Sequence, residues 1–130
     1  MMCGHHGRDH HDTIDPGVLA GLFASLGPRV APELQQLLGA DLRKARDLLG
    51  ATLGPPCNLT AVARQAHVLV ALAGTAGATG LAARARRLLR AVTRGDAGTS
   101  ARALQDILPR IDALVAFVAA CPLPADRPLP

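Results

Sequence analysis

The sequence predicts an all-α fold, namely an antiparallel up-down four-helix bundle with a short additional N-terminal helix. Alanine and leucine dominate, with two Phe and no Trp or Tyr. This composition favours helices, because β-branched and aromatic residues supply most strand propensity. Apolar residues recur at steps of three and four over four long segments, and short breaks separate these segments. Amphipathic helices joined by short loops typically form an antiparallel bundle.

The first two helices are predicted on either side of a Gly-Pro break. Asp15 is a typical N-cap, and the proline that follows it suits the first helical position. A short helix should therefore begin here and stop at Gly27 and Pro28. A longer helix is predicted over residues 29–53, where the apolar positions form one stripe, and "GPPCN" ends it.

Three further helices are predicted after this second break. Asn58 should cap a helix that frays near residues 77–80, where glycines accumulate. The next helix spans roughly residues 79–94 and has five arginines outside its apolar stripe. "GDAGTS" is typical of a turn, and the last helix is expected over residues 99–120, bent by Pro109.

The 130 residues are enough for one domain. We expect a disordered His-rich tail over residues 1–12, a helical bundle over residues 13–121 and a Pro-rich tail over residues 122–130. The first tail contains five possible metal ligands, but their spacing fits no closed structural site. Adventitious metal binding is the favoured interpretation, so no metal site and no cofactor are predicted. The five ligands are Cys3, His5, His6, His10 and His11.

Several classes of protein are disfavoured by composition. The three cysteines lie at unrelated spacings, so no disulfide framework is expected and a reducing cytoplasm is the predicted compartment. No apolar run follows the charged N-terminus, so no signal peptide is predicted. The uncharged run over residues 65–83 has the length of a membrane span, but three glycines in its second half argue against one.

The net charge is +4, and much of the basic excess lies in "ARARRLLR", residues 83–90. A basic helix can bind nucleic acid. Here no aromatic residue is interleaved with the arginines to stack on bases, so a solvated helix face is the preferred interpretation. Neither a nucleic acid nor a membrane is therefore predicted as a partner.

His67 is the most informative residue, because it is the single titratable group in residues 65–83. With Ala66 at the centre of the buried stripe, His67 lies about 100° round the helix, at the rim of the stripe. The ring could bond a backbone carbonyl as a partly buried histidine, or it could be open to a partner. Small neighbours such as Ala71 and Gly74, together with Val68 and Leu72 as exposed apolar residues, suggest a docking surface.

These residues resemble the histidine-containing phosphotransfer domains of multistep two-component signalling. The core of that family's motif is approximately A-H-x-L-K-G-x-x-G-x-x-G-A, and this chain has "AHVLVALAGTAGA". "IDPGVLAGLFASLG" resembles the family's opening helix, and "RRLLRAVTRGD" resembles the helix after its motif. The similarity covers roughly residues 13–120. The positions that match in register are Ala66, His67, Leu69, Gly74, Gly77 and Ala78.

The resemblance implies a phosphocarrier rather than an independent enzyme. His67 would accept a phosphoryl group from a receiver-domain aspartate and pass it to a second receiver. The expected partners are a response-regulator receiver domain and a hybrid histidine kinase, with Mg²⁺ held by the receiver. The family's lysine and the glycine after it are Val70 and Ala71 here, and Arg64 is a possible substitute cation.

Two other functions stay open from the sequence. The loss of the lysine favours an adaptor of the same fold, which binds a receiver or kinase without accepting phosphate. A basic helical nucleic-acid binder would instead use the arginines of residues 84–90. Cys57 lies about ten residues before His67, but no third group orients a thiol–imidazole pair, so it is interpreted as a loop cysteine.

Overall fold

The computed structural model describes residues 14–53 and 58–125, and these form four helices and no strand. They are α1 (Pro16–Ala51), α2 (Leu59–Thr75), α3 (Thr79–Thr93) and α4 (Ala97–Ala120). The prediction of an all-α fold is confirmed. The predictions for the His-rich tail and for the Cys57 loop lie outside the described residues, as do residues 126–130 of the predicted Pro-rich tail.

Side-chain caps begin three of the four helices. The Asp15 carboxylate accepts a hydrogen bond from the Gly17 N–H at 2.9 Å, and the Asn58 side chain accepts one from the Ala61 N–H at 3.1 Å. Asp96 accepts one from the first turn of α4. Each cap satisfies a backbone donor that has no partner inside its own helix. The predicted caps at Asp15 and Asn58 are therefore confirmed.

The predicted Gly-Pro break falls within the range of α1, where two helical segments meet at a kink. Gly27 has φ 86° and ψ 172°, which is not helical, and helical backbone continues on both sides of it. This conformation is nearly free for glycine and costly for residues with a Cβ. α1 therefore consists of two helical segments, one before and one after the kink at Gly27.

The ends of α2 and α3 share one glycine-based arrangement. Gly77 and Gly95 both have left-handed backbone, with φ 79° and φ 74°. The residue after each glycine donates its N–H back into the helix, from Ala78 to the Ala73 carbonyl at 2.8 Å and from Asp96 to the Ala91 carbonyl at 3.1 Å. This is the Schellman motif. Instead of fraying, α2 stops sharply.

One local prediction for the last helix needs correction. The stretch "GDAGTS" was expected to be a turn, but α4 already begins at Ala97, because Asp96 supplies a cap and helix begins directly after it. Pro109 lies within α4, which continues through it to Ala120.

The four helices share one hydrophobic core. α1 packs against α2 and α4, and α3 packs against the same two helices. The largest side chains with no exposed surface come from all four helices, including Phe23, Leu69, Leu88 and Ile111. No helix within the two described ranges combines the length and the apolar character that a membrane span needs. The uncharged run of residues 65–83 is in fact divided between α2 and α3.

Candidate functional site around His67

Helix α2 has one face buried in the core, as the apolar periodicity predicts. Val62, Ala66, Leu69 and Ala73 are completely buried. The buried residues recur at steps of three and four, which places them on one side of a helix with about 3.6 residues per turn. This face determines the direction of every other side chain on α2.

His67 lies at the edge of this buried face, and it is exposed. Neither ring nitrogen has a hydrogen-bond partner within the described residues. The alternative of a partly buried histidine bonded to a backbone carbonyl is therefore wrong for this chain. The imidazole is therefore open to solvent, which is what a nucleophile or a ligand requires.

The surface directly around the imidazole is open. Gly74 lies two turns after His67 and about 20° from it round the helix. A Cβ built on Gly74 would meet no other atom within 4 Å. Ala71 and Arg64 are also exposed, about 40° and 60° from His67. Another protein could therefore contact this side of α2 without a bulky side chain in the way.

The three larger apolar residues near His67 have different environments. Val68 is 38% exposed, as predicted. Leu72 was predicted to be exposed as well, but it is partly buried and packs against the core, so this prediction is wrong. Val70 is also partly buried against the core, which leaves no charged group at the position of the family's lysine.

The end of α2 nearest the turn is held by the start of α1. The Asp15 N–H donates to the Gly77 carbonyl at 3.0 Å. A Cβ on Gly77 would lie 2.8 Å from the Val18 Cβ and 2.9 Å from the Asp15 carbonyl oxygen, so the two segments are in close contact. This contact was not predicted from the sequence. The glycine directly after the last turn of the helix, in "GTAGA", is the signal that indicates a left-handed cap there.

The charge distribution around the site is one-sided. Between Asp47 and Asp96 the sequence contains six arginines and no acidic residue. Helices α2 and α3 therefore carry no carboxylate. Arg84 is ion-paired with Asp106 of α4, which also pairs with Arg110 at 3.2 Å. The exposed surfaces of α2 and α3 are consequently positive or neutral throughout.

No other described group competes with His67 as a reactive centre. Cys121 is a buried free thiol, and its burial raises its pKa, so the nucleophilic thiolate is disfavoured. No three His, Cys, Asp or Glu side chains of residues 14–53 and 58–125 lie together in a way that could hold a metal ion. The proposed metal ligands of the N-terminal tail lie outside these ranges.

No protein-family model, curated protein or solved structure matches this chain. The family resemblance therefore depends on the sequence of residues 13–120 alone, above all on the stretch around His67.

Proposed function

We propose that this protein is a histidine phosphotransfer protein, which relays a phosphoryl group between receiver-domain aspartates through His67. The observation that carries the proposal is an exposed imidazole without a hydrogen-bond partner among the described residues, on a helix whose neighbouring positions are small. Neutral imidazole is a good nucleophile near pH 7. A carrier needs little beyond this group, because phosphoryl transfer depends on positioning and charge neutralisation.

The proposal includes an up-down antiparallel bundle whose first helical segment, before Gly27, acts as a short separate helix. Contacts between α1 and α4 support the antiparallel order. Gln35 donates to the carbonyl of Val118 at 2.9 Å, and Arg46 further along α1 pairs with Asp112, which is earlier in α4, at 3.0 Å. Partners therefore move backwards along α4 as α1 advances.

The expected partners are a receiver domain and a hybrid histidine kinase in the cytoplasm. The receiver would supply the Mg²⁺ and the acidic pocket. Helices α2 and α3, which lack carboxylates, suit an acidic partner surface. On this proposal the chain is a carrier, not an independent enzyme.

The test is phosphotransfer from a panel of phosphorylated receiver domains with Mg²⁺, followed by mapping of acid-labile phosphate by mass spectrometry. We expect phosphate on His67 and its loss in His67→Gln. A variant in which the four histidines of residues 5–11 are glutamine is the matched control and should still be phosphorylated. Phosphate confined to those tail histidines would contradict the proposal.

A phosphorylation-deficient adaptor is the second candidate, and Val70 is the observation that favours it. Val70 packs on the core where the family has a lysine that helps hold the phosphoryl group. An adaptor should bind a receiver equally well as wild type and as His67→Gln. Val70→Lys would then create phosphotransfer, since a lysine stem can lie along the core edge with its ammonium in water. Ala71→Lys, one position further, is the control.

A further inference from the structure

The two sides of α3 face different neighbouring helices. One side carries Arg84 and Arg87, which line a shallow depression together with Thr99 and Arg102 of α4. Arg84 is also ion-paired with Asp106 of α4. This side therefore faces α4. Among the described helices, α3 packs against α2 as well as α4. The side of α3 opposite Arg84 therefore faces α2.

Arg86 and Arg90 lie at the outer edge of the side that faces α2. They lie about 100° and about 140° round the helix from the buried Ala85, whereas Arg84 lies about 100° in the opposite direction. Both are exposed, and neither forms an ion pair within the described residues. Their guanidinium groups are therefore available to an anion.

The ion pair between α3 and α4 shows which residues of two adjacent antiparallel helices face each other. Arg84 directly precedes the buried Ala85, and Asp106 directly precedes the buried Ile107. Two adjacent antiparallel helices are related by a local twofold axis that runs between them. Residues that lie at the same angle, in the same sense, from the buried residue of each helix therefore meet at the same groove. By the same rule, residues that directly follow a buried residue meet between α2 and α3. His67 follows the buried Ala66, and Arg86 follows Ala85.

His67 and Arg86 also lie at the same height along their helices. Only residues 76–78 connect α2 to α3, so the chain reverses at once and runs back along α2. His67 is eight residues before Thr75, and Arg86 is seven residues after Thr79. With a rise of 1.5 Å per residue, they lie about 12 Å and about 10.5 Å from the turn. Arg90 lies one turn beyond, so His67 is level with the interval between the two arginines.

We propose that Arg86, assisted by Arg90, binds the phosphoryl group carried by His67. This inference depends on the proposed function and assigns a phosphate-binding residue to the same site. Packed helix axes are about 8–10 Å apart, a distance that an extended arginine side chain can span from one edge towards the other. The guanidinium is always charged and can hold two phosphoryl oxygens at once. On α2 itself the nearest exposed cation is Arg64, about 60° away.

The chemical step needs this charge but no further reactant. The lone pair of the His67 Nε2 attacks the phosphorus of a receiver's aspartyl phosphate. The phosphorus–oxygen bond to the aspartate breaks as the phosphorus–nitrogen bond forms, and the aspartate leaves as a carboxylate. The proton on Nδ1 is released to solvent when the ring returns to its neutral form. Arg86 would neutralise the equatorial oxygens during transfer and in the phosphohistidine.

The experiment compares Arg86→Gln with Arg87→Gln, which removes the same charge one residue away on the side that faces α4. The proteins are phosphorylated with phosphoramidate, a small donor that needs no receiver, and the rate of His67 phosphorylation is followed by mass spectrometry. We expect Arg86→Gln to be about tenfold slower or more, as for the loss of one charge-assisted hydrogen bond. Arg87→Gln should change the rate less than about twofold, and Arg86→Lys should restore most of it. Equal effects of Arg86→Gln and Arg87→Gln, or none, would overturn the inference.

A titration with inorganic phosphate separates this inference from the proposed function. The ring signals of His67 are followed by NMR in wild type, Arg86→Gln and Arg87→Gln. If wild type accepts no phosphoryl group from phosphoramidate or from receivers, the proposed function fails. A phosphate-dependent shift of His67 that Arg86→Gln abolishes and Arg87→Gln retains would still establish an anion site here. Absence of that shift in wild type would overturn it.

Discussion

Replacing Gly77 by alanine tests the contact that holds the end of the His67 helix. Gly77 has φ 79°, a backbone conformation that residues with a Cβ adopt only at a cost. Its new Cβ would lie 2.8 Å from the Val18 Cβ and 2.9 Å from the Asp15 carbonyl oxygen. Neither atom is the end of a flexible side chain, so the start of α1 has to move away from the turn.

The two costs can be separated, because Gly95 has nearly the same backbone conformation without the contact. Gly95 has φ 74°, and a Cβ there would meet nothing within 4 Å. Gly95→Ala should therefore lose about 1–2 kcal/mol of unfolding free energy, from the left-handed backbone alone. Gly77→Ala should lose this amount and a further 1–3 kcal/mol, about the usual cost of overpacking.

The assay is urea unfolding of both variants and wild type, followed by circular dichroism at 222 nm. The difference between the two midpoints, multiplied by the common slope, gives the part that belongs to the contact. Equal losses in the two variants would refute the reasoning, since Val18 and Asp15 would then not be packed against the α2–α3 turn.

Three further predictions concern residues away from His67. Gln35→Ala should lower the unfolding free energy by about 1–3 kcal/mol in urea, because its amide donates to carbonyls at the end of α4; the exposed neighbour Gln36→Ala is the control. Hydrogen bonds to the folded Asp96 carboxylate lower its pKa. The ionised Asp96 carboxylate therefore stabilises the fold above the unfolded pKa of about 3.9, and this stabilisation is lost as the pH falls through the lower, folded pKa. Asp96→Asn lacks this titration, so its unfolding free energy should fall less than that of wild type between pH 5 and pH 3. Burial raises the pKa of Cys121. In a protein whose other two cysteines are serine, the Cys121 thiol should therefore react with Ellman's reagent more slowly in the folded state than in urea. Equal rates in the two states would contradict its burial.

The helices could be predicted well wherever local signals agree. Asp15, Asn58 and the apolar periodicity indicated the starts and the buried faces, because capping and burial act within one or two turns. At Gly27 the local signals point in two directions. A Gly-Pro pair looks like a helix end, but glycine can adopt φ 86° and helical backbone can resume directly after it. Whether it separates two helices depends on tertiary packing.

From the sequence, the candidate site could be predicted only for residues of α2 itself, not for contacts between α2 and other helices. The angle between His67 and Ala66 indicated a rim position, and the structure has His67 exposed. Leu72 packs against the core, although the spacing within α2 predicts an exposed position for it. The spacing along α3 predicts only a solvated face for Arg86, because spacing within one helix does not show which other helix lies beside that face. Its position relative to His67 follows only from the length of the α2–α3 turn and from the side of α3 that faces α4.

The local chemistry of α2 favours a site over a purely structural helix. Gly74 lies in the last turn of α2 with open space around its Cα, although alanine is the better helix former. Nothing in the core requires this glycine. The same helix is nevertheless held firmly at both ends, by the Asn58 cap and by the contact of Gly77 with Asp15. A helix whose ends are secured and whose exposed last turn carries a small surface beside His67 is suited to presenting His67 to a partner. Gly74→Ala should therefore stabilise the fold, while Gly74→Gln, whose Cβ is also unobstructed within the chain, should weaken receiver binding.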